Sequence, residues 1–179
     1  LNLEGRGTCF PDSNDCLNCN LNGWLRDFLA TAVLLHITLR ERGVQMADAV
    51  ATQTIQDGGK TAIFRFTNVS DGTGESAVTK IDVSGLSSDP MSGAACSGVT
   101  IQKIYYSTIG MGVKIFFDAT TDVLAWQLNA DWSDTIDFTD FTGIPNNAGS
   151  GKTGDVQFTT VGHSSADVYN IVMQVSKSY

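Results

Sequence analysis

The stretch Gly98–Leu128, GVTIQKIYYSTIGMGVKIFFDATTDVLAWQL, decides how this chain is read. It holds three runs rich in β-branched and aromatic residues. Val99, Ile101 and Ile104 to Tyr106 make the first, and Val113, Ile115 and Phe116 lie in the second. Gly110-Met111-Gly112 separates the first run from the second, and Asp118 to Asp122 separates the second from the third. Runs of this composition, broken by turn residues, are the signature of consecutive β-strands, and the expectation is an antiparallel meander.

Outward from this stretch the same period of two recurs. Ala49 to Ile55 alternates weakly and is expected as an edge strand, and Gln56-Asp57-Gly58-Gly59 as a turn. Lys60 to Asn68 sets Ala62, Phe64 and Phe66 against Ile63, Arg65 and Thr67. Ala77 to Val83 sets Val78, Lys80 and Asp82 against Ala77, Thr79, Ile81 and Val83, as in a half-buried strand. After the central stretch, Asp131 to Phe141 reads as a short strand with Ile136 and Phe138 inward. Asp155 to Val161 and Asp167 to Lys177 read as a closing hairpin around Gly162-His163-Ser164-Ser165. Long loops are expected over 84–98 and 143–154, where glycine and proline collect. Eight or nine such strands without a helix give an all-β fold, an antiparallel β-sandwich of jelly-roll or Greek-key type.

Composition divides the chain near residue 46. Nine of the twelve leucines and four of the five arginines precede that point, while all six lysines follow it. Such shifts mark boundaries. The expectation is a β-sandwich over 46–179 that starts naturally at Met46, with 1–45 as translated upstream sequence; Glu41 to Gln45 can be encoded by a purine-rich run of the kind that precedes a bacterial start codon. The rival reading is a genuine N-terminal arm with a helix from about Trp24 to Arg40.

The charge balance narrows the partners. A net charge of −8 is unsuited to phosphate backbones and to anionic membranes, so neither nucleic acid nor membrane is expected as a partner. The longest apolar run, Phe28 to Leu35, is too short to span a bilayer, which takes about 20 residues. Four cysteines are too few for a disulfide scaffold.

Each chemical motif has a plainer reading beside it. Asn147 to Gly154 ends in Gly-Lys-Thr like a phosphate-binding loop, but position 146 is asparagine and the following Val156 to Thr160 is strand-like, so a surface loop is expected. Cys9, Cys16 and Cys19 with His36 are poorly spaced for zinc. Asp131, Asp134, Asp137 and Asp140 recur every three residues, which scatters them over both faces of a strand. Asp71, Glu75, Asp118 and Asp122 read as loop acids. His163 beside Ser164, Ser165 and Asp167 is a run of neighbours rather than a triad placed by a scaffold. No catalytic residue, metal or cofactor is therefore expected. Tyr105, Tyr106, Trp126 and Trp132 remain as a possible subunit interface or sugar-stacking platform.

Four blocks carry a resemblance: Met46 to Val50 (MADAV), Phe66 to Glu75 (FTNVSDGTGE), Ile104 to Val113 (IYYSTIGMGV) and Gly151 to Asp155 (GKTGD). Residues 46–179 resemble small β-rich proteins of tailed, often marine, bacteriophages that are encoded among virion genes. The resemblance implies a non-enzymatic virion protein, a capsid decoration or tail component, with no catalytic residues to carry over. The partners expected are other phage structural proteins and further copies of the chain. A secreted carbohydrate-binding or adhesion module is the alternative.

Overall fold

The computed structural model describes residues 48–179. The expected start at Met46, the 1–45 extension with its Trp24–Arg40 helix, the apolar run at 28–35 and the Cys9, Cys16, Cys19 and His36 set lie outside the described residues.

The described chain is all-β, with ten strands and no α-helix among the described residues. They are β1 (Ala51–Asp57), β2 (Thr61–Asp71), β3 (Val78–Ile81), β4 (Gly98–Ile109), β5 (Gly112–Phe117), β6 (Val123–Leu128), β7 (Ser133–Asp137), β8 (Ile144–Pro145), β9 (Val156–Val161) and β10 (Ser165–Ser178). All pairings are antiparallel, and they build two sheets. One runs β1-β2-β10-β4-β7, with β8 beside β7 on the same edge of β4; the other runs β3-β9-β5-β6.

The pairs β2–β10, β3–β9, β4–β7 and β5–β6 nest inside one another along the chain. An eight-stranded hairpin rolled onto itself has this pattern, and of the two expected topologies it is the jelly roll.

Alternation explains the layers. On β2, Ala62, Phe64 and Phe66 are buried while Arg65 is exposed. On β10, Tyr169, Ile171, Met173 and Val175 are buried, and Asn170 faces out. Between the sheets Phe66 meets Phe158 edge-on at 5.0 Å, and Phe158 meets Tyr169 at 6.2 Å. Each fully buried side chain of this size contributes about 1.5–3 kcal/mol.

Three sequence expectations are corrected. The Gly98–Leu128 stretch does form three strands, but not a meander: β4 belongs to the first sheet, and only β5 and β6 form a hairpin, in the second. The chain crosses between sheets at Gly110, whose φ of +77° suits glycine, and at the fully buried Met111. The closing strands are likewise no hairpin, because β9 and β10 lie in different sheets. Lys80 does not lie opposite Ile81. The register slips between Thr79 and Ile81, and both Lys80 and Ile81 are buried.

Candidate functional site

The outward face of the β1-β2-β10-β4-β7 sheet is built from the residues that alternate with its core. Register places Arg65, Val172, Tyr105 and Thr135 in one cross-strand row. Asn170, Ser107 and Ser133 lie in the next. Over β10, β4 and β7 these rows floor a wide depression of about 540 Å³, to which Asp134 and Tyr106 also contribute. Tyr105 is 44% exposed within it. The Ser133 hydroxyl donates to Ser107 Oγ at 2.9 Å, and Asp134 Oδ1 accepts from the Thr135 amide at 2.7 Å. Beside the depression Lys103 and Asp137 pair at 2.6 Å. The Lys103 hydrogen bond and then those from Thr139 hold the Asp137 carboxyl down at about 2.

The aromatic residues singled out from the sequence do not form one platform. Tyr105 points out and Tyr106, its neighbour, points in and is buried. Burial, with the Asp134 charge nearby, pushes the Tyr106 phenol up. Trp126 lies on the edge strand β6, opposite the buried Ile115, and packs edge-on against Phe138 at 5.1 Å. Phe138 in turn meets Phe141 at 5.9 Å. An aromatic row therefore lines the margin between β6 and the segment after β7; Phe138 is buried, while Trp126 and Phe141 are 38% and 62% exposed. Trp132 is exposed in the β6–β7 connection, where its carbonyl accepts the Thr108 amide at 2.9 Å. Sequence reasoning places Phe138 inward as observed, but misses its partnership with Trp126 and the polar floor around Tyr105. Both depend on register, which periodicity alone does not carry.

A second constellation lies inside. Glu75 and Lys80 form an ion pair with side chains 4% and 1% exposed. The Tyr169 hydroxyl donates to the other oxygen, Glu75 Oε2, at 2.7 Å. The Lys80 ammonium sits 5.9 Å from the ring centres of both Phe158 and Tyr169. Burial and then the Glu75 carboxylate push the Tyr169 phenol far above its ordinary value. The backbone of Glu75 is fixed too: its amide donates to Thr160 Oγ1 at 2.9 Å and its carbonyl accepts the Thr160 amide at 3.0 Å. The His163 ring lies so close over Gly74 that a Cβ there would fall 2.2 Å from it. Glu75 is thus no loop acid in solvent. It anchors the β2–β3 loop to the core.

The remaining motifs are dispersed. The Asn147–Gly154 segment is followed by strand β9, not by the helix a phosphate-binding loop requires. Asp167 Oδ2 accepts the Ser164 amide at 2.6 Å, and His163 Nδ1 lies 3.4 Å from Thr160 Oγ1, so His163 and Asp167 are engaged separately. Among the described residues no three acids, histidines or cysteines gather as a metal site would need. No helix among the described residues is long and apolar enough to cross a membrane. The chain matches no protein-family model and no curated protein.

Proposed function

We propose that this protein is a non-enzymatic structural component of a tailed-phage particle, a capsid decoration or tail component that binds a repeated protein lattice in many copies. The observation that carries the reading is the margin beside β6. There the aromatic row Trp126–Phe138–Phe141 is left partly open, next to an edge strand, Val123–Leu128, that contains no charged residue. Exposed aromatics with few charges are the composition of interface cores. A modest patch of this kind binds weakly once, and strongly when a lattice presents it many times. The sequence blocks that resemble phage virion proteins point the same way, and jelly rolls are common among viral capsid domains.

Mass spectrometry of purified particles from a phage that encodes the chain tests the proposal. The protein is expected at a copy number comparable to that of a lattice component. Its absence from mature particles that contain their other structural proteins would overturn the proposal.

A further inference from the structure

We propose that the depression over β10, β4 and β7 is a binding site for a neutral oligosaccharide. Its centre is an aromatic ring that the fold does not use: Tyr105 is 44% exposed, and its register partners on that face are Val172 and Thr135. The apolar C–H face of a pyranose stacks on such a ring and shields it from water, the kind of contact that rewards aromatic side chains with one free face. Around the ring stand groups suited to hydroxyls: Ser107, Ser133, Thr135 and the Asn170 amide. They sit on three neighbouring strands, so their spacing is set by the sheet at about 4.8 Å per strand and costs little to organise.

Charge selects the class of sugar. Among the residues lining the depression Asp134 is the one that carries a charge, and the exposed Arg65 stands one strand beyond Val172 in the same row, outside the floor. Asp134 pairs in register with the inward Tyr106, so its carboxylate is turned to the other face of β7, and the Tyr105 floor presents hydroxyls and an amide without a charge of its own, which suits an uncharged sugar. Lys103, on the same strand as Tyr105, is paired with Asp137. The depression is wide and shallow, which fits a segment within a chain rather than an enclosed single sugar. It lies on the outward face of the sheet, whereas the aromatic row proposed for lattice contact lies at the β6 margin. The inference therefore stands or falls independently of the virion reading.

The test is a titration of the full chain, by calorimetry and by backbone amide NMR, with neutral gluco-, manno-, galacto- and chito-oligosaccharides and with a sulfated and a sialylated oligosaccharide. At least one neutral series is expected to bind and to shift the amides of Tyr105, Ser107 and Asn170. Tyr105→Ala should weaken that binding by about tenfold or more, Tyr105→Phe should retain most of it, and Trp132→Ala should leave it unchanged. The inference is overturned if no neutral oligosaccharide binds at millimolar concentration, if the charged glycans bind in preference, or if the shifted amides cluster elsewhere. The NMR map of the unmodified chain decides between these outcomes even if a variant fails to fold.

Discussion

Tyr169 on β10 and Tyr105 on the adjacent β4 lie on opposite faces of one sheet, and their surroundings differ in every respect. Tyr169 is fully buried, donates to Glu75, and belongs to a cluster whose charge is balanced by Lys80. Tyr105 is 44% exposed on a floor of hydroxyls and an amide. A fully enclosed phenol needs an acceptor, and a carboxylate placed there needs a cation, because an unpaired polar group in a core is costly. One inward tyrosine therefore commits three strand or loop positions to the fold. The outward tyrosine needs no partner from the protein, and that leaves it free for a ligand.

The largest effect should come from breaking the inner cluster. Lys80→Met leaves the Glu75 carboxylate buried without its cation, and the loss expected in urea unfolding is about 3–5 kcal/mol. Replacing all three polar groups together, as Lys80→Met with Glu75→Leu and Tyr169→Phe, should recover most of that loss, since apolar groups of similar volume often substitute for a buried ion pair at little cost. A triple variant no more stable than Lys80→Met would mean that packing, not charge, dominates there. Tyr169→Phe alone removes a hydrogen bond to a charged group and should cost about 1.5–3 kcal/mol. At the β6 margin, Trp126→Ala should cost roughly half of the about 3–5 kcal/mol typical of a buried aromatic, because Trp126 is already 38% exposed.

Titration should divide along the same line. The Tyr169 phenol is raised in the folded protein, so the unfolded chain ionises first, near 10.0. Its contribution is fully present below that pH and is lost as pH rises further, which thermal melts of Tyr169→Phe against the unmodified chain would detect. On the outward side Asp137 is depressed from 3.8 to about 2. Its contribution is present above 3.8 and declines as pH falls toward 2, and Lys103→Ala should flatten the acid limb of a pH–stability curve over that window. The effect should be small, because the pair is exposed and salt screens it.

How far these features are legible in the sequence depends on which force decides them. Period-two alternation locates β2, β4, β5 and β10, sets Phe64 and Phe66 on one face together and turns Ile136 and Phe138 inward, because burial of one face is a local pattern. It does not reveal that β4 pairs with β10 and β7 rather than β5, since a glycine break reads the same whether the chain turns back or crosses to the other sheet. Lys80 is misplaced by alternation because a bulge shifts the period by one residue and leaves no compositional mark. Glu75 reads as a loop acid because Tyr169 is brought to it only by the roll, and Lys80, five residues on, is turned inward by the bulge in β3. The Tyr105 floor is half legible: the ring stands out, but Ser107, Ser133 and Asn170 are ordinary strand residues until register sets them side by side.

The most direct measurement pairs Tyr105→Ala with Tyr169→Phe in the full chain and follows both urea unfolding and oligosaccharide binding. The account predicts that Tyr105→Ala keeps its stability within about 0.5 kcal/mol and loses binding, whereas Tyr169→Phe loses stability and keeps binding below its unfolding range. If Tyr105→Ala unfolds as readily as Tyr169→Phe, or binds as tightly as the unmodified chain, the division of labour between the two faces is contradicted.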